Sequence, residues 1–302
     1  MNSVSNEPEV RGQRSDARAI PTRPFYWSVR RESWENHSIY IAPVIVAGVI
    51  LFGLLVGSFR LPQLRRNALA LDPAHQRAAI EAPYNVVAIM LIFTAFILGV
   101  FYCLDALHGE RRDRSILFWK SLPVSDLTAV LSKATIPLAV IPIVTLGIVV
   151  LTQFSMLLLS TVALLSSGLA GTTWANFNLF RESAILLYAL IAIALWHAPI
   201  YGWLLLVSGW ARRATFLWAT LPLIAISFFE KITFNTAHFA TMLGNRIVGF
   251  APKAFAFHGH DIESATPSPA DYLGTPDLWI GLAFAAIFIF AAVRLRRFRG
   301  PL

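Results

Sequence analysis

The side chains that could do chemistry in this chain are few and lie in three groups. His258-Gly-His260-Asp261-Ile-Glu263 sets two imidazoles and two carboxylates within six residues, a donor set that suits zinc or a similar cation. The same residues suit a solvated loop equally well in chemical terms, and we expect no metal there. His197 sits near the middle of a long apolar run, two residues before Pro199. An ionisable group at that position is a candidate functional residue; the plainer expectation is an imidazole bonded to backbone carbonyls that the proline frees. The third group is denser. Glu110, Arg111, Arg112, Asp113, Arg114, Trp119 and Lys120 place seven charged or tryptophan side chains within eleven residues. That chemistry is recognition, because an apolar knob (Ile116, Leu117, Phe118, Trp119) between charged flanks combines anchoring with steering.

Several reaction classes are excluded by what is missing. The four lysines, Lys120, Lys133, Lys231 and Lys253, follow Trp, Ser, Glu and Pro, so no Gly-x-x-x-x-Gly-Lys-Ser/Thr loop exists to cradle a nucleotide. There is no His-Glu-x-x-His helix, no Gly-x-Ser-x-Gly elbow and no carboxylate pair inside an apolar run. The single cysteine, Cys103, rules out an internal disulfide and a cysteine metal cage within one chain. The chain is not expected to be an enzyme, nor to bind a cofactor itself.

The elements that carry these groups follow from composition. Of 302 residues, 56% are hydrophobic and 14% charged, against about 25% charged in a soluble domain. The apolar residues come in runs long enough for helices that cross roughly 30 Å of hydrocarbon, about 20 residues each. The fold class is therefore an all-α polytopic membrane protein, with spans at about 39–59, 86–104, 134–159, 183–207, 214–229 and 278–293. Residues 1–24 are expected to be a disordered cytoplasmic tail and 25–299 one transmembrane domain. Trp27 and Trp34 are seven apart and share a helix face, with Arg30, Arg31, Glu32 and Glu35 polar. This suits either a helix lying in the membrane interface or an aromatic belt before a span. Gly53 and Gly57 would let another helix approach span 1 closely. Residues 60–84 read as a polar loop ending at Pro83, and Pro137 and Pro142 as kinks in span 3. Ser125 can cap the following helix, with Asp126 in its first turn. Residues 232–250 are half apolar but carry Asn235, His238, Asn245 and Arg246, which suits a re-entrant or interfacial helix. The net charge of +8 does not imply nucleic acid, since most basic residues flank span ends. Seventeen Lys and Arg lie on one side of the six spans and eight on the other, which puts both termini in the cytoplasm.

Trp27-Ser-Val-Arg-Arg-Glu-Ser-Trp-Glu35 before the first span, and Gly109-Glu-Arg-Arg-Asp-Arg-Ser-Ile-Leu-Phe-Trp-Lys-Ser-Leu-Pro-Val-Ser125 after the second, together resemble the membrane (permease) subunit of type-2 ABC exporters over about residues 25–299. The resemblance implies an elbow helix at Trp27, Arg30, Arg31, Glu32 and Trp34. It implies a coupling helix made by Glu110 to Arg114, Ile116 to Lys120 and Pro123, seated on a separate ATP-binding subunit that holds the ATP and magnesium. It also implies short re-entrant helices between spans 5 and 6, a second permease copy or paralogue, and a bacterial inner-membrane location. His197, Phe216, Trp218, Phe228 and Phe229 would then border the translocation pathway. The competing expectation is a membrane enzyme or metal-binding protein that uses His197 or the His258–Glu263 group.

Overall fold

A computed structural model describes residues 23–117, 124–256 and 266–298. Six of its helices are long and apolar enough to cross a membrane: Ser38–Leu69, His75–Arg112, Asp126–Ser167, Leu179–Trp210, Thr215–Phe234 and Pro276–Phe298. We refer to these as spans 1 to 6. Before them comes α1 (Pro24–Glu35), started by a proline in its first turn, where the missing N–H costs nothing.

Span 1 consists of α2 (Ser38–Gly57), one tight turn and α3 (Leu61–Leu69). Span 2 is α4 (Pro73–Ala106) followed by α5 (His108–Arg112). The expected polar loop at 60–84 is therefore helical, and Pro83 lies inside α4 instead of ending a loop. Apolar runs mark only the lipid-facing length of a helix, and these turns carry helix into polar sequence with pairs such as Arg77–Glu81 at 2.8 Å. Span 3 likewise starts early. It comprises α6 (Asp126–Thr135), a wide π-type turn over Ile136–Val140 that contains Pro137, and α7 (Ile141–Leu164). Ser125 caps α6 as expected, accepting from the Thr128 N–H at 3.1 Å, with Asp126 in the first turn. The expected break at Pro137 is that π turn, a common response to a missing donor.

After α8 (Gly171–Asn176), span 4 is the single helix α9 (Leu179–Trp210), capped by the Asn178 side chain. Span 5 is α10 (Thr215–Phe234) and span 6 is α14 (Pro276–Phe298). Between them lie α11 (His238–Val248), α12 (Ala251–Ala254), two antiparallel residue pairs (Phe255 with Pro267, Ala256 with Thr266) and α13 (Pro269–Gly274). That two-residue ladder is a small departure from the all-α expectation.

Span 4 is the axis of the bundle. Over its most apolar stretch 56% is buried within the chain, against 6% for span 5. Its buried face carries small residues (Ala194, Ala198, Gly202, Gly209) among large ones (Leu190, Leu205), which lets neighbouring helices approach closely. Gly202 meets span 6 at the Ala285 carbonyl and Phe288. By contrast Gly53 and Gly57 face open space within this chain.

A charge knot as the candidate functional site

At one end of the bundle five charged side chains from four helices are joined without a break. Lys133 Nζ, from α6, donates to Glu32 Oε1 of α1 at 2.8 Å and reaches Glu110 Oε1 of α5 at 3.2 Å. Arg296, near the end of α14, donates to Glu110 Oε2 at 3.2 Å and to Asp126 Oδ1 of α6 at 3.1 Å. Tyr102 of α4 donates its hydroxyl to Glu32 Oε2 at 2.8 Å. Glu32, Lys133 and Arg296 are 6% exposed or less. Charges this deep survive only when paired and hydrogen-bonded. Among the described residues Arg296 Nε has no hydrogen-bond partner. The Arg296 side chain borders a cavity of about 220 Å³ that is also lined by Trp27, Arg31, Glu32, Glu110 and Val124.

The backbone beside the knot is tied down as well. Ser208 Oγ accepts from the Leu107 and His108 N–H groups at 3.0 and 2.9 Å. Arg111 donates to the Gly209 carbonyl at 2.8 Å. These bonds fasten the short α5 to the end of span 4. Arg114 then turns the chain through φ 59°, a conformation uncommon for a residue with a side chain.

This arrangement changes the roles expected of several residues. Glu32, placed by its pattern on an exposed polar face, is buried in the knot. Arg30 does not oppose the tryptophans but stacks on both, at 5.2 Å from the Trp27 ring and 4.3 Å from that of Trp34. Those two rings stay more than half exposed, and Arg31 pairs with Glu35 at 2.7 Å. Glu110 and Arg111, expected as flanking charges for a partner, are spent inside the chain, and Ile116 is buried at 2% exposure. Leu117 faces outward at 58%, as do Arg112, Asp113 and Arg114. Arg112 lies 3.0 Å from Asp113 and 3.7 Å from Asp105. Phe118, Trp119, Lys120 and Pro123 fall outside the described residues, as does the His258–Glu263 group. Lys133, Arg296 and Tyr102 were not singled out from the sequence, although the charges of Lys133 and Arg296, opposite to those of Glu32 and Glu110 at neighbouring span ends, were a signal.

At the other end, α11 to α13 close against span 4. Tyr272 donates to the Ala192 carbonyl at 2.7 Å, Tyr188 to that of Ala254 at 2.8 Å and Trp196 to that of Asn245 at 3.3 Å. Arg246 lies over the Trp196 ring at 4.5 Å and donates to the Asp277 carbonyl at 2.9 Å. His197 is buried as expected of a structural histidine, but its carbonyl partners are Ile193 and Ile247, each at 3.0 Å. The carbonyl that Pro199 frees belongs to Leu195, four residues back, so the proline does not supply the partner. Phe216, Trp218, Phe228 and Phe229 on span 5 are 47–67% exposed, and the Trp218 ring packs edge-on against Trp210 at the end of span 4.

The architecture is that of a multi-pass α-helical membrane protein. No family model, curated protein or solved structure matches the chain.

Proposed function

We propose that the chain is the permease subunit of an ATP-driven ABC exporter, with the 109–125 stretch as the element that receives motion from a separate ATP-binding subunit. The observation that carries this reading is the knot. A coupling element is useful only if a push on it reaches the spans, and here α5 is ion-paired to spans 3 and 6, linked to α1 through Lys133, and hydrogen-bonded to span 4. The partner would supply ATP and magnesium, since this chain has no phosphate loop. Its contact surface would be the exposed side chains of the stretch: Arg112, Asp113, Arg114 and Leu117, with Phe118, Trp119 and Lys120 contributing from the sequence reading. The bare face of span 5 fits lipid or a second permease copy, with Phe216, Trp218, Phe228, Phe229 and His197 near the pathway. Helices α11 to α13 reach span 4 at Ala192 to His197, well inside its length, which suits re-entrant helices.

The test is copurification of an ATP-binding subunit, with transport-coupled ATP hydrolysis, normalised to permease expression. Leu117→Ala, Phe118→Ala and Trp119→Ala should each cost on the order of 2 kcal/mol of docking, as interface anchors do. Arg112→Ala should do less, and its effect should shrink at high salt because exposed charges are screened. Full ATPase retention by the triple variant would defeat the coupling assignment.

Orientation has its own check. A cysteine at Ala70, between α3 and α4, should react with an impermeant thiol reagent in intact cells. One at Arg213, between spans 4 and 5, should react only after permeabilisation. The reverse pattern would invert the topology. Cys103 is fully buried and should stay silent in both.

A further inference from the structure

We propose that His197 is a proton-operated clamp on α11: with both ring nitrogens protonated it ties the end of α11 to span 4, and loss of the proton releases that tie. Nδ1 lies 3.0 Å from the Ile193 carbonyl oxygen and Nε2 lies 3.0 Å from that of Ile247. A carbonyl only accepts, and a neutral imidazole carries one N–H. Only the imidazolium donates to both at once. In the neutral ring one nitrogen lone pair would face an oxygen lone pair, and one of the two bonds would be lost.

The two acceptors are not equivalent, which decides where the clamp opens. Ile193 lies one turn back on the same helix, where the ladder already engages its carbonyl. Ile247 is in the last turn of α11, whose final carbonyls have no partner within the helix. That helix end also carries the negative pole of the backbone dipoles, which favours a cation beside it. The imidazolium therefore gains most from the Ile247 contact, which is the one that crosses between elements.

The surroundings fit a single titrating group. From α4 the ring meets Phe96 at 4.9 Å, and from its own helix Tyr201 at 6.3 Å; Phe250, just after α11, stands at 6.4 Å. Burial acts most strongly against the imidazolium, the two carbonyls act for it, and Arg246 of α11 acts against it. Its charge is countered by Asp277 at the start of span 6, and Tyr272 of α13 stands near it. Burial pushes the Tyr272 phenol up, so it stays protonated throughout the range in which a histidine titrates. The sign follows directly. The tie is present at low pH and is lost as pH rises through the His197 transition.

This inference rests on the geometry of spans 2, 4 and α11 and not on the transport reading, and its readout involves neither transport nor ATP. Hydrogen exchange is followed on the full chain in lipid nanodiscs, at about pH 4.5 and about pH 8.5, roughly two units either side of the ordinary histidine value, so that the acid arm reaches the imidazolium despite the burial of the ring. Each rate is divided by the intrinsic rate at the same pH. Protection of residues 238–250 should fall roughly tenfold or more at the higher pH, the size of one hydrogen bond to a charged group. Protection of 141–164 should change less than about twofold. His197→Gln should flatten the pH dependence, whereas His238→Gln, which removes the exposed histidine at the start of α11, should preserve it. If His197→Gln does not fold, the wild-type and His238→Gln profiles decide. Equal protection of 238–250 at both pH values, or a pH dependence abolished by His238→Gln, would overturn the proposal.

Discussion

Lys133→Ala is expected to loosen the charged end of the bundle at a cost of about 3–5 kcal/mol, the penalty for leaving a buried ion uncompensated. The lysine is the one cation between two carboxylates, Glu32 and Glu110, whose side chains are 5% and 9% exposed. Without it, among the described residues Glu32 keeps only the Tyr102 hydroxyl and Glu110 keeps only Arg296. Two buried carboxylates then face each other across an emptied site. The expected readout is an earlier thermal unfolding transition in detergent, with α1 becoming the first helix cleaved by protease. Removing the charges together separates this from mere loss of side-chain volume. Glu32→Gln combined with Lys133→Met should recover much of the loss, because a matched neutral pair carries no desolvation penalty. A Lys133→Ala variant as stable as wild type would mean that water reaches the site and that the knot transmits nothing. Loss of stability with no recovery in the double variant would assign the effect to packing.

What could be read from the sequence, and what could not, divides along the range of the interaction. Six apolar runs identify six helices because about 20 apolar residues have few other solutions, and Ser125 announces its cap because the cap is made three residues away. The 60–84 stretch was expected to be a loop, whereas most of it is helix that continues through polar sequence held by local pairs and tertiary contact. The knot is of another kind. Glu32 and Lys133 are 101 residues apart and Glu110 and Arg296 are 186 apart, and no local pattern joins them. The six-span reading did place all four at the same face of the membrane. What it lacked was the observation that opposite signs had been left at adjoining span ends. His197 shows the same limit. A nearby proline was the only carbonyl source visible in sequence, whereas the partner that matters is Ile247, 50 residues on.

Gly202→Val should separate spans 4 and 6 and cost roughly 1–3 kcal/mol, the range for overpacking a filled interior. A Cβ at Gly202 would stand 3.2 Å from the Ala285 carbonyl oxygen and 3.3 Å from Phe288 Cβ. Both are parts of span 6 that cannot swing aside, so the helices themselves must move. That displacement would reach Arg296 through span 6 and strain its bonds to Glu110 and Asp126. Gly281→Ala offers the contrast. A Cβ there would run into the Arg246 guanidinium, which is the far end of a flexible side chain and can leave. The expected loss is Arg246's place over Trp196 and its bond to the Asp277 carbonyl, with spans 4 and 6 still packed. The thermal unfolding transition would report the first effect, and hydrogen exchange over 238–250 would report the second. Gly202→Val should lower the thermal transition. Gly281→Ala should leave it nearly unchanged while protection of 238–250 falls. If Gly202→Val behaves like Gly281→Ala, then the contact between spans 4 and 6 yields more easily than the backbone positions require, and motion at the charged end would have no rigid path across the bundle.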